Sequence, residues 1–562
     1  PPFFFNYTAT TEIYTLSLHD ALPICSQISR FTKLCQYYMD VGFFFIQRGE
    51  DHNLYRQFKC KRLAKNFFCA ILNTMFKMNE LKVLKMKTRT RFAPSPTGYM
   101  HIGNLRTALY EYLIAKAAGG DFVLRIEDTD QKRFVEGATD IIYATLKRVG
   151  MNWDEGPDIG GNYGPYVQSE RKAIYAEYAH KLVDLGGAHY CFCAASENDD
   201  ADEENAIPVK FKDPCKLLSV EEARKRIAAG EKFVVRQTIN KTGKSKFHDV
   251  VYGDIEIDYD DLDEGVLLKS DGFPTYNFAN VVDDHLMEIT HVVRGNEYIS
   301  STPKYNLIYE SFGWTPPVYV HVPQVMKDAQ HKLSKRNGDA SFQDLVAKGY
   351  LPEAVLNYIA LLGWNPGTEQ EIFSLEELKQ VFTAERLNKS PAIFDLAKLT
   401  WMNGCYIRAL PAEEFHKLAQ PFYRQVLTRR VNEEELSKVL QSRIEVLNDI
   451  PAQIDFIEQV PEFPTELYSN KKMKSDAEIA KTSLAYAAEA LEKQADWSNE
   501  ALFETLKALA AEKGLKNGQI LYPVRIALSG KETTPGGATE LAVVLGKEET
   551  LNRIRTALFK LN

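Results

Sequence analysis

The stretch from Thr88 to Asp130 restricts the fold of this chain more than any other. "TRTRFA" alternates and stops at Pro94, which cannot continue a central strand. Pro96-Thr97-Gly98 is turn chemistry. After Gly103, the residues Leu105, Ala108, Leu109, Tyr112, Leu113 and Ala117 recur at helical spacing. Gly119-Gly120 supplies a stop. "DFVLRIEDTD" then reads as a buried strand, Phe122 to Ile126, ending in carboxylates, and "GATDIIYATLKRVG" as a second helix. A strand that returns through a helix pairs in parallel, so an α/β, doubly wound, Rossmann-like sheet is predicted.

Ligands of such sheets bind beyond the carboxyl ends of the strands. The Pro94–His101 loop and the Glu127–Asp130 cluster both fall at such ends. A helix N-terminus beside Gly103 lets backbone N–H groups approach a phosphate, and the His101 imidazole can donate to its oxygens. Taken alone, His-Ile-Gly is also what a plain strand–helix turn carries.

A chain of 562 residues exceeds one ordinary core. Apolar content of 45% and charged content of 26% suit a globular protein. No apolar run reaches about 18 residues, so no membrane-spanning helix and no membrane partner are expected. The net charge of -8 argues mildly against a nucleic-acid partner, although an acidic protein can hold a basic groove. Eight cysteines without a signal peptide read as reduced thiols in a cytoplasmic protein. Residues 1–25 lack sustained periodicity and an initial methionine, and the stretch from there to about 85 is Phe- and Cys-rich and mildly basic. Residues 1–85 read as a non-native or disordered extension, translated from upstream or adapter DNA, with the natural start at Met86 or Met78.

The phosphate motif does not stand alone. Arg91-Phe-Ala-Pro-Ser-Pro-Thr-Gly with His101-Ile-Gly-Asn resembles the first signature of class I aminoacyl-tRNA synthetases, and its surroundings resemble the glutamyl branch. "RIEDTD" at Arg125–Asp130, "TYNFANVVDDHLMEITHVVRGNEYISSTP" at Thr275–Pro303 and "KLSKR" at Lys332–Arg336 resemble the same branch, in the expected order. Asn104 stands where the class signature often has a second histidine, as in many glutamyl enzymes.

The resemblance implies activation of L-glutamate by ATP, with Mg2+, and transfer to the 3′ end of tRNA(Glu). His101, Lys332 and Lys335 would act on the phosphates. Pro94, His101, Gly103, Asn104 and Lys335 would bind ATP. An isolated Lys-x-x-Lys is otherwise a solvated face. Arg91, Ala93, Ser95, Glu127, Tyr276, Asn280 and Arg294 would bind glutamate. Glu127 would take the ammonium, Arg91 the side-chain carboxylate and Arg294 the α-carboxylate, with Tyr276 donating nearby. A guanidinium offers only donors, so the amide nitrogen of glutamine would leave it unpaired.

Cys191-Phe-Cys193 followed by Cys215 resembles a zinc knuckle of some relatives, but the position two beyond Cys215 is Leu217, so no metal is expected. The resemblance divides the chain into a first sheet half (86–166), an inserted acceptor-end domain (167–272), a second half (273–331), a loop and stem-contact domain (332–408) and an α-helical anticodon-binding region (409–562). The acidic "SENDDADEEN" loop should face away from RNA. Within the helical region, "VRIALSG" and Arg443 are candidate anticodon readers, a solvated helix face being the alternative. A monomer is expected. Two other readings remain: an enzyme that also charges tRNA(Gln), and a small-molecule nucleotidyltransferase of the same superfamily, which would not explain the long helical tail.

Overall fold

The computed structural model describes residues 87–133, 135–193, 213–333 and 341–561. The expectations for residues 1–85, for the acidic loop and for Lys335 lie outside them. In chain order the first part comprises β1 (Arg89–Phe92), α1 (Ile102–Ala117), β2 (Asp121–Leu124), α2 (Ala138–Arg148) and α3 (Lys172–Asp184). Next come β3 (Ala188–Cys191), α4 (Val220–Ala228), β4 (Val234–Gln237), β5 (Lys244–Asp249), β6 (Gly253–Asp258) and β7 (Val266–Leu268). Then follow α5 (Tyr276–Leu286), β8 (His291–Gly295), α6 (Thr302–Phe312) and β9 (Val318–Val322).

β1 and β2 pair in parallel, with Arg89 opposite Asp121 and Phe92 opposite Leu124. The return after α1 is tight. Gly119 adopts φ of +63°, and a Cβ on Gly120 would lie 2.1 Å from the Thr88 carbonyl oxygen. Only a residue without a side chain passes there. The β2 ladder ends at Leu124, short of the predicted Ile126, which instead forms an isolated parallel bridge with Val167.

β8 and β9 are parallel from His291–Val318 to Gly295–Val322. The Thr290 amide donates to the Arg89 carbonyl at 2.9 Å, which sets β8 beside β1. Phe122, Leu124, Val293, Val320 and Val322 share one core with Leu105, Leu109 and Leu113 of α1. Val123, Val292 and Tyr319 point the other way, against Tyr166, Met287 and Ile289. This period of two buries both faces, as a parallel sheet requires.

β3, β4 and β7 form a separate antiparallel sheet. Its residues Tyr190, Val235 and Leu268 join Tyr175 and Leu182 of α3, Phe278 and Val282 of α5 and Tyr305 of α6 in one core. The inserted stretch therefore shares its core with two helices of the second half. The "DVVYGDIEIDY" string, expected inside the insertion, starts at Asp249, the last residue of β5, and supplies β6. β5 meets β9 in parallel at Asp249–Tyr319 and pairs antiparallel with β6. The chain thus touches the catalytic sheet at Asp249 and then returns through β7 to the antiparallel sheet.

Beyond Ile393 the described residues hold helices and turns only, save an isolated bridge between Asn470 and Ser475. Arg553 ties them together: it donates to the carbonyl oxygens of Phe456, Ile457 and Leu528, at the C-terminal ends of two helices. A cation there meets the negative end of each helix dipole.

Candidate active site

The two signature segments meet at the start of α1. His101 is its N-cap: Nδ1 accepts from the Gly103 amide at 3.0 Å, and a Cβ at position 103 would stand only 3.1 Å from that nitrogen. The proton therefore sits on Nε2, which donates to the Leu333 carbonyl at 3.1 Å. Ser341 also bridges His101, and the Phe342 amide donates to the Met100 carbonyl at 3.0 Å. Leu333 and Ser341, which flank residues 334–340, both contact the strand–helix turn. Lys332 is exposed and pairs with Met326 in a short bridge. Ser95 and Asn104 are exposed, Ala93 and Gly103 are half-buried, and Pro94 is buried. The Pro94 carbonyl accepts from the Glu127 amide at 3.1 Å, so the loop lies against the end of β2.

Beneath it runs a buried charge network. Asp284 Oδ1 accepts from Arg91 Nε at 3.0 Å and from Arg125 Nη1 at 2.8 Å. Arg125 also donates to Glu127 Oε1, at 2.9 Å from Nη2. Arg91 Nη1 donates to Glu111 Oε1 at 2.9 Å. Arg171 and Tyr175 close the network on Asp283, both at 2.7 Å. Burial raises the Glu127 carboxyl above its usual value, against the pull of Arg125 and Arg91. Burial alone would also raise Asp284, but Arg91 and Arg125 outweigh it and hold that carboxyl low.

Four of the groups named for glutamate keep an atom without a protein hydrogen bond among the described residues. On Glu127 it is Oε2, and on Arg91 it is Nη2. On Arg294 it is Nη1, and on Asn280 it is Nδ2, which is fully buried. Arg294 is 7% exposed and has no carboxylate partner among the described residues; the rings of Tyr298, Tyr305 and Tyr319 surround its guanidinium. A buried cation so placed is costly unless an anion joins it. Tyr276, raised by burial, lies within electrostatic reach of Glu127, Arg294 and Arg91. The arrangement offers an acceptor for one ammonium and separate donors for two carboxylates.

Sequence reasoning passed over Glu111, Arg125, Asp283 and Asp284. Glu111 left a trace: it is a charged residue inside an otherwise apolar helical run, and it is 1% exposed. The expected Arg91 fork is also not wholly open, since Nε and Nη1 already serve Asp284 and Glu111.

At the end of β3, the ligand atoms of Cys191, Cys193, Asp213 and Cys215 all lie within 4.8 Å of one another. Leu217, two residues past Cys215, is 92% exposed and cannot ligate, whereas Asp213, two residues before Cys215, brings a carboxylate to the three thiols. Asp213 Oδ2 is held by His189 Nε2 at 2.9 Å, and the Phe192 amide donates to Cys215 Sγ at 3.4 Å. Burial raises the Cys191 thiol to about 12. Three thiols and an oriented carboxylate fit a soft divalent ion such as zinc, which would deprotonate them.

In the helical region, a cavity of about 610 Å³ is lined by Asn499, Phe503, Tyr522, Arg525 and Thr539, among others. Arg525, from "VRIALSG", is held there by Thr534 Oγ1 at 3.0 Å and the Glu532 carbonyl at 2.8 Å. Arg443 lies elsewhere, exposed.

Two family models match the chain: the catalytic domain of class I tRNA synthetases (E and Q) over residues 87–401, and an anticodon binding domain over 414–558. A glutamate–tRNA ligase of Clostridium botulinum is 58% identical over 478 residues, covering 84% of this chain and 99% of the relative. That of Clostridium tetani is 57% identical, over 84% of this chain and 98% of the relative. The crystal structure of a glutamate tRNA ligase from Elizabethkingia meningosepticum in complex with its amino acid superposes with a TM-score of 0.76 at 33% identity. It covers 85% of this chain and 100% of that one. The fold, the two matched models and the relatives agree: the chain belongs to the class I tRNA synthetases of the glutamyl and glutaminyl (E and Q) family.

Proposed function

We propose that this protein is a glutamate–tRNA ligase: it activates L-glutamate with ATP and esterifies the 3′ end of tRNA(Glu). The observation that carries the amino-acid choice is the set of unpartnered atoms on Glu127, Arg91, Arg294 and Asn280, with Arg294 lacking any carboxylate among the described residues. Glutamate carries one ammonium and two carboxylates. Glu127 Oε2 accepts the ammonium, while Arg91 Nη2 and Arg294 Nη1 each take a carboxylate oxygen.

Attack of the α-carboxylate on the α-phosphate then needs positioning and charge neutralisation more than covalent help. The α1 N-terminus supplies amide dipoles toward the ATP phosphates, and His101 and the Lys332–Lys335 segment supply donors that follow charge onto pyrophosphate. Mg2+ accompanies the nucleotide. The helical region reads the anticodon, and the cavity beside Phe503 and Arg525 offers a ring to stack on and a guanidinium to donate to a base edge. The enzyme acts in the cytoplasm as a monomer. No helix among the described residues is long and apolar enough to cross a membrane.

Aminoacylation of purified tRNA(Glu) and tRNA(Gln) with radiolabelled glutamate tests the reading. Charging of tRNA(Glu) is expected. Charging of tRNA(Gln) as well would mark the non-discriminating variant. Charging of neither, with ATP–pyrophosphate exchange intact without tRNA, would favour a small-molecule nucleotidyltransferase.

A further inference from the structure

Arg294 is oriented by a buried chain of groups that begins outside the pocket. Asp249, at the end of β5, is 0% exposed and takes four donors. The Val251 and Tyr252 amides bond Oδ1 at 2.9 and 2.8 Å, and the His321 amide and His321 Nδ1 bond Oδ2 at 3.0 and 2.7 Å. His321, on β9, is also 0% exposed. Its Nε2 lies 3.3 Å from Arg294 Nε on β8. A guanidinium Nε always carries hydrogen, so it donates here and His321 Nε2 must be bare. Thr302 Oγ1, 3.4 Å from that nitrogen, spends its own proton on the Tyr298 carbonyl at 3.0 Å and accepts from Arg294 Nη2 at 3.3 Å. The imidazole is therefore the neutral Nδ1–H tautomer. Burial favours the same state, holding His321 below its usual pKa.

We infer that His321, with its tautomer set by Asp249, is the positioning residue that engages Arg294 from behind and leaves Nη1 aimed at a substrate carboxylate. The inference rests on the reading of Arg294 as a carboxylate receptor and adds what holds it. A guanidinium ringed by tyrosines has no rotational preference of its own for that carboxylate. One acceptor at Nε and another at Nη2 leave a single orientation that satisfies both.

Two polar variants separate the halves of the imidazole. His321→Asn places its amide near Nδ1 and can still meet Asp249, but leaves Arg294 Nε without an acceptor. His321→Gln presents an oxygen where Nε2 stands. In aminoacylation at saturating ATP and tRNA, His321→Asn should raise the glutamate KM about tenfold to a hundredfold, the range for a lost hydrogen bond to a charged group. Its ATP KM should stay within about twofold, and His321→Gln should stay within about threefold of the native glutamate KM. Equal values for the two variants, or a larger loss in His321→Gln, would overturn the assignment. Arg294→Ala distinguishes the underlying reading. A native glutamate KM there removes Arg294 from the pocket, whereas a raised one beside a native His321→Asn removes only the positioning role. The native protein supplies a check independent of folding variants. Spectra of ¹⁵N-histidine-labelled enzyme near neutral pH should show one neutral Nδ1–H imidazole, and finding no such ring would overturn the tautomer.

Discussion

His101 and Leu333 join the two signature segments through one hydrogen bond, 3.1 Å from the imidazole Nε2 to the Leu333 carbonyl oxygen. The residues that end one strand and the residues that precede Lys335 are thus held as one unit, although 232 positions separate them. His101→Ala removes both the N-cap and this tether. It should slow glutamyl activation by about a hundredfold with little change in glutamate KM, as expected for donors that act on developing phosphate charge. Pyrophosphate exchange in the presence of tRNA measures it. Lys335→Ala should show the same pattern with tRNA affinity nearly intact in filter binding.

Arg91, proposed to hold the glutamate side chain, is also bound to Glu111 and Asp284 in the core. Arg91→Ala leaves Glu111 and Asp284 short of a buried partner, so it should cost about 3–5 kcal/mol in urea unfolding. It should also raise the glutamate KM and erode rejection of glutamine. Glutamine activation no greater than native, in a variant that folds, would remove Arg91 from specificity.

The Cys191–Cys193–Asp213–Cys215 cluster predicts metal content. Protein purified without chelators should hold about one zinc per chain, measured by mass spectrometry, because the donor set matches a closed tetrahedral site. Asp213→Ala with Cys215→Ser should release it and lower the melting temperature. Zinc-free native protein with an unchanged melt on zinc addition would rule the site out.

Burial holds His180, His285, His291 and His321 below the usual histidine value. Below about pH 6.5 the unfolded chain takes up protons that these rings refuse in the native state, so stability falls as pH drops. Thermal melts should show a lower transition at pH 5.5 than at pH 7.5. A flat profile would place these rings in solvent. The depressed carboxyls of Asp249 and Asp284 stabilise the fold above about pH 4 and add their loss only on further acidification.

Arg525→Ala should raise the tRNA KM without altering the glutamate or ATP KM, since its cavity belongs to the helical region. An unchanged tRNA KM would clear that cavity of any role in recognition.

The period of two in "TRTRFA" and of 3.6 in the run after Gly103 depend on neighbours a few positions away, so the strand–helix–strand core is legible in the sequence. So is the all-helical character of the tail. The boundaries are less so. The "DVVYGDIEIDY" string reads as strand wherever it lies, and only the Asp249–Tyr319 pairing places it on the catalytic sheet.

The amino-acid sequence alone determined the element types, their order and the identity of the groups at the strand ends, because periodicity, breakers and short motifs are local. Tertiary structure decided which charges are already neutralised. Glu111, Asp284 and His321 lie 20, 193 and 27 positions from the arginines they bind. Whether a guanidinium is free for substrate or occupied by protein depends on such distant partners, and electrostatic interaction acts through space, not along the chain.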